Sequence, residues 1–239
     1  MVNSLQRPRG VIVLGVFRSG TSQISRVLQA LEVDFGPAFD LFAPTQYNPW
    51  GFFQRRDVLA ANNRLLHSAG CSADFPAEPE KILQRADPTC LLPANLNWIS
   101  DKRTWGLKDP RFSATLLTWI ECGRIDPKGL VLVNVSRGSE ATAASILRFP
   151  VMATLLPNVN AGNVRTLVDR YRELAAWHIS RLGLPTLTVC LEDLIQKPQQ
   201  EVEKLANFVG CTNPNAIESA VQSTNRERVL QIYFTQRAV

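Results

Sequence analysis

The residues of this chain best suited to chemistry begin with eight in a row: Gly15, Val16, Phe17, Arg18, Ser19, Gly20, Thr21 and Ser22. The two glycines let the backbone turn tightly, so that successive N–H groups can converge on a phosphate. A helix that starts at such a turn adds unpaired amide donors and a favourable dipole. Thr21 and Ser22 contribute hydroxyls in its first turn, and Arg18 places a cation inside the loop. The order is that of the phosphate-binding pattern G-x-x-x-x-G-K-[ST], except that Thr21 stands where the lysine would be. That lysine neutralises the β- and γ-phosphates of a nucleoside triphosphate, so its replacement argues against ATP or GTP hydrolysis. A plain strand–helix turn with a surface arginine is the alternative for the same residues.

Two further sets stand apart in sequence. Arg137 follows the apolar run Leu-Val-Leu-Val-Asn-Val, and Ser145 comes eight residues later. A fork-shaped guanidinium suits a phosphate dianion, and a serine adds one directed donor. A solvated strand end is the plainer reading of that arginine. Lys108 and Asp109 lie within Trp-Gly-Leu-Lys-Asp-Pro-Arg, residues 105–111. A lysine fixed there would stabilise charge that develops on a leaving oxygen, with Asp109 orienting its neighbours; a surface ion pair is the alternative. Transfer to a hydroxyl or amine also asks for a base. Asp57 is the first candidate, with Asp40 and His67 behind it.

These residues need a frame that gathers strand ends. Residues 9–14 and 130–135 read as fully buried strands, with shorter strands at 104–107 and 185–191. Helical patterns occupy residues 21–31, 57–66, 113–122, 140–149, 164–181 and 201–209. Ser113 is a plausible helix cap and Gly210 a stop signal. Strands alternating with helices predict an α/β, P-loop-like three-layer fold with a central, mostly parallel sheet flanked by helices. Ligands collect at the carboxyl ends of such strands. Residues 35–53, dense in aromatics, and residues 150–162, with Val151, Met152, Leu155 and Leu156, read as irregular segments. They either wall an acceptor pocket, with the second acting as a lid, or simply cover the core.

The chain has 239 residues, 45% hydrophobic and 20% charged, which fits one domain over residues 1–239 with a sizeable core. The net charge of +5 reads either as a mildly basic surface or as a field that draws in an anionic ligand, and its spread along the chain argues against nucleic acid. Five cysteines without a CxxC pair predict free, buried thiols in a reducing compartment. No apolar stretch is long enough for a signal peptide or a membrane span, which predicts a cytoplasmic protein. The two histidines lack metal-ligand spacing, so no metal is expected.

Taken together, the segments Arg18-Ser19-Gly20-Thr21-Ser22, Asn48-Pro49-Trp50-Gly51-Phe52-Phe53 and Lys108-Asp109-Pro110-Arg111 resemble a bacterial-type branch of the PAPS-dependent sulfotransferase family (PAPS is 3′-phosphoadenosine-5′-phosphosulfate). The resemblance spans roughly residues 9–210. It implies transfer of a sulfonate group from PAPS, leaving PAP, to a small-molecule or glycan acceptor. It assigns Arg18, Ser19, Gly20, Thr21 and Ser22 to the 5′-phosphosulfate, Arg137 and Ser145 to the 3′-phosphate, and Lys108 to transition-state stabilisation. Gln54 stands where the family has an acid, which leaves the base open. Glu192-Asp193 reads as a structural brace, and Asn225-Arg226-Glu227-Arg228 as the only segment able to replace a basic loop of the animal branch. A P-loop-type nucleotide kinase and a catalytically inactive nucleotide-binding protein are the alternatives.

Overall fold

The computed structural model describes residues 9–224. Four parallel strands form its sheet: β1 (Gly10–Gly15), β2 (Trp105–Lys108), β3 (Leu130–Ser136) and β4 (Thr186–Cys190), in the order β2-β1-β3-β4. The helices between them are α1 (Thr21–Ala30), α2 (Arg56–Ser68), α3 (Pro79–Arg85), α4 (Phe112–Glu121), α5 (Ser139–Arg148), α6 (Met152–Leu155) and α7 (Val164–Leu182). After β4 come α8 (Leu191–Gln196), α9 (Pro198–Val209) and α10 (Pro214–Ser223).

The central strands are apolar on both faces because both are covered. On β1, Ile12 and Leu14 face one layer with α2, α4 and α7, while Val11 and Val13 face the other with α1 and α9. On β3, Leu130 and Leu132 share the first layer, and Val131, Val133 and Val135 the second. Each fully buried aliphatic side chain contributes about 1.5–3 kcal/mol. From β1 the chain crosses to β2 on one side, then returns past β1 to β3 on the other. That reversal opens a crevice at the carboxyl ends of β1 and β3, where the glycine turn and Arg137 both sit.

Some expectations change. Ser113 is not a cap: α4 begins at Phe112, Ser113 is buried in its first turn, and the Asp109 carboxylate accepts from the Arg111 amide just before it. α9 starts at Pro198 rather than residue 201, since proline suits a first helical turn. Residues 150–162 are not wholly irregular but hold α6. α8 was hidden by its length. α10 carries an Asn213 side chain that accepts from the Asn215 amide, followed by Pro214, a legible start signal. All five cysteines are free, but only Cys211 is buried: Cys71, Cys90 and Cys190 are half-buried and Cys122 is exposed. Among the described residues, no helix is long and apolar enough to cross a membrane, and no group of three or more His, Cys, Asp or Glu is placed to hold a metal.

Candidate active site

The turn after β1 takes a shape that only certain residues permit. Gly15 has φ 144°, and a Cβ there would lie 2.8 Å from the Val135 carbonyl oxygen. Gly20 has φ 98°, and a Cβ there would meet the Leu191 side chain at 2.8 Å. Arg18 adopts φ 62°, a left-handed conformation that costs a non-glycine residue roughly 1–3 kcal/mol. Surrounding contacts hold it there. Arg137 Nη1 donates to the Arg18 carbonyl at 3.0 Å, and Ser19 Oγ donates to the Val16 carbonyl at 2.8 Å. The Arg18 guanidinium lies 4.2 Å over the Phe149 ring and donates through Nε to Ser145 Oγ at 3.2 Å. The first amides of α1 have no partners within the helix, by helix geometry.

Lys108 ends β2 beside this turn, with its Nζ 3.3 Å from Ser22 Oγ. Burial pushes its pKa down to about 8; Arg18 and Arg111 push the same way, and Asp109 opposes them. Asp109 and Arg111 form a buried ion pair in which Arg111 Nη1 donates to Asp109 Oδ1 at 3.1 Å. Among the described residues, Arg18, Lys108 and Arg111 bring positive charge together around the Asp109 carboxylate, an arrangement that favours an anionic ligand. Sequence reasoning missed Arg111 as part of the site; its place directly after Lys-Asp-Pro was the available signal.

The turn opens into a cavity of about 420 Å3. Arg18, Gly20, Thr21, Ser22 and Lys108 line one side. Phe42 and Phe52 come from the aromatic loop, and Val151, Met152 and Leu155 from the segment around α6. The two segments expected to wall an acceptor pocket therefore meet across one space. Gln54 also lines it; the residue is only 8% exposed, and its Nε2 is buried without a hydrogen-bond partner.

The candidate bases lie elsewhere. Asp57 is not among the cavity-lining residues. Its carboxylate accepts two bonds from Arg55, at 3.0 and 2.8 Å, and further bonds from the amides of Val58 and Asn95. Asp40 pairs with the same guanidinium at 3.2 Å. A buried arginine that the sequence did not single out thus engages both acids. His67 is exposed near the end of α2.

Arg137 and Ser145 are buried beside the turn rather than on the cavity wall, and both contact Arg18. The structure therefore joins the two expected phosphate contacts through one residue. Arg172 of α7 donates to the Arg137 carbonyl and to Ser139 Oγ. Glu192 accepts from the Gly138 amide at 3.1 Å and from the Cys190 thiol. Burial would raise the Glu192 pKa, but these bonds and the charge of Arg137 hold it below its usual value. Glu192 therefore braces the Arg137 turn. The Asn225-Arg226-Glu227-Arg228 segment lies outside the described residues.

Among the described residues, hydroxyls and cations surround a turn whose glycines admit close approach, a donor set that suits an anionic group. No family model matches the chain, and no curated protein matches it. Solved structures do. A retinol dehydratase in a complex with retinol and PAP shares the fold at 16% identity and a TM-score of 0.52, over 96% of this chain and 68% of that one. A second retinol dehydratase structure, with androsterone and inactive cofactor PAP, aligns at 16% identity and a TM-score of 0.49 over the same shares. At this identity the likeness shows the α/β fold.

Proposed function

We propose that this chain, as one sulfotransferase-like domain over residues 1–239, moves a sulfonate group from PAPS to an acceptor bound in the apolar cavity. The observation that carries the reading is the junction of turn and cavity: Lys108 Nζ lies 3.3 Å from Ser22 Oγ, and both residues line the acceptor space. The fold shared with a PAP-bound retinol dehydratase supports the nucleotide assignment. PAPS supplies an activated sulfonate; the rest is positioning. Arg18, Ser19, Gly20, Thr21 and Ser22 hold the 5′-phosphosulfate. Arg137 and Ser145 take the 3′-phosphate, through rearrangement of their contacts with Arg18. Protonated Lys108 stabilises charge on the departing bridging oxygen. The apolar walls exclude water and admit a small molecule, as retinol is admitted in the retinol dehydratase structure. No metal is required, and the surroundings are those of a cytoplasmic enzyme.

A thermal-shift panel of PAP, ADP and ATP, each with and without magnesium, tests this. PAP without metal should give the largest shift, because it alone of the three carries a 3′-phosphate. A shift confined to ATP with magnesium would favour a P-loop-type kinase.

A further inference from the structure

The cavity wall made by Val151, Met152 and Leu155 is held from outside the cavity. The amides of residues 152–156 bond to carbonyls of residues 149–152, which shapes α6, and Met152 and Leu156 pack it against the core. The directed tie lies further on, at Asn158. Its amide and its Nδ2 both donate to Asp74 Oδ2, at 3.1 and 2.7 Å. Asn163 Nδ2 donates to the Asn158 carbonyl at 2.8 Å, so Asn158 is gripped on two sides. Asp74 belongs to the connection between α2 and α3 and is not among the cavity-lining residues. It is only 5% exposed, and Ser72 Oγ donates to its other oxygen. Burial would raise its pKa, but the bonds from Ser72 and Asn158 hold it below the usual value, so the carboxylate is charged at neutral pH.

The platform that presents Asp74 is itself fastened to α7. Tyr171 Oη donates to the Ala73 carbonyl at 2.7 Å, and Arg170 donates through Nε and Nη2 to the Pro76 carbonyl, both at 3.2 Å. The Tyr171 ring lies edge-on to Phe17 of the β1 turn, with ring centres 5.3 Å apart. A continuous run of contacts therefore joins the turn, through Tyr171 and the residue before Asp74, to the α6 wall. Beside Asp74 a second cavity of about 260 Å3, also lined by Val159, Asn163 and Leu167, leaves the packing incomplete. Directed bonds more than close contact set the position of the chain there.

We propose that Asp74 is a positioning residue for the active cavity: by taking both Asn158 donors on a platform clamped to α7, it fixes the α6 wall relative to the β1 turn. The proposal rests on the reading of that cavity as the acceptor site and adds the residue that sets its wall in place. A charged acceptor suits this task, because charge-assisted bonds are shorter and stronger than neutral ones.

The test is hydrogen exchange on the full chain, read at the amides of residues 152–156 with β3 as the control. Asn158→Asp, at an exposed position, sets two carboxylates against each other. It should speed exchange at residues 152–156 about tenfold or more while β3 keeps its rate. Combining it with Asp74→Asn exchanges the places of carboxylate and carboxamide, and should return exchange to near the native rate. Tyr171→Phe keeps the ring against Phe17 but removes the bond to the Ala73 carbonyl. It should also speed exchange at residues 152–156, and should add little to Asn158→Asp, since both act through one tie. Native exchange in Asn158→Asp, an equal rise in β3, no recovery in the reciprocal pair, or multiplied effects in the pair with Tyr171→Phe would each overturn the proposal. Calorimetry of PAP on the unaltered chain keeps the two readings apart: absence of binding would bring down the sulfonate-transfer reading, while the exchange rates decide the role of Asp74.

Discussion

Lys108 has to carry a proton to stabilise a departing oxygen, and its surroundings work against that. With its pKa pushed down to about 8, the free protein holds the charged form only below that pH. The dependence of kcat/KM on pH reports groups of the free enzyme, so kcat/KM should fall above about pH 8, roughly tenfold per unit. A Lys108→Ala variant should lose about 10²–10³ in turnover while binding PAP with a much smaller loss, because the charge it meets develops only as the bond breaks. A profile flat to pH 10 (about two units above the Lys108 value) would remove Lys108 from this role. Arg137 allows a sharper discrimination between nucleotides. Charge-assisted bonds contribute about 1.5–3 kcal/mol, so Arg137→Ala should weaken PAP binding about tenfold or more. It should weaken ADP binding far less, and calorimetry on both ligands checks the difference. The glycine turn and its polar residues were legible in the sequence because turn chemistry is local. The base was not. Asp57 sits at a reasonable spacing from Gln54, but its partner Arg55 is buried against Trp98 and the Asn95 carbonyl, contacts set by tertiary packing.

At the scale of elements, strands β1 and β3 announced themselves through unbroken apolar runs that both layers require. α10 was missed although Asn213 and Pro214 mark its start and Ala216, Ile217, Ala220 and Val221 recur at helical spacing; its small alanines pack in the layer that α1 also joins. The α4–α7 contact carries a consequence for acid stability. Burial pushes His178 from the usual 6.5 to about 4, against the bond to the Leu174 carbonyl that would raise it. Between those values the unfolded chain binds a proton that the folded one does not. Stability is therefore complete above about pH 6.5 and is lost as pH falls towards 4, by about 3 kcal/mol from this group. Denaturant melts across that window should show the slope, and His178→Gln should flatten it. The segment around α6 belongs to the same scale. Its far end is tied down, with the Asn158 amide and Nδ2 donating to Asp74 at 3.1 and 2.7 Å. Its near end, at Val151, is exposed on the cavity rim. Hydrogen exchange at residues 151–155 should exceed that of β3 in the free protein and slow when PAP and an acceptor are both present. Equal protection in the free protein would reject a lid.

For the whole molecule, the strand order places three strand ends, with Ser22, Lys108 and Arg137 near them, around one crevice that no single sequence segment contains. The central claim is that this crevice holds a nucleotide bearing both a 5′-phosphosulfate and a 3′-phosphate. A ligand present at one hundred times its dissociation constant stabilises the fold by about 2.7 kcal/mol, so binding should be plain in melting before any acceptor is known. The most direct measurement is a crystal structure of the protein grown with saturating PAP and no metal. The account predicts the 5′-phosphate on the turn, within hydrogen-bond reach of Thr21 and Ser22, and the 3′-phosphate on Arg137 and Ser145, with Arg18 released from Ser145. PAP bound elsewhere, or a turn left empty at saturating PAP, would contradict it.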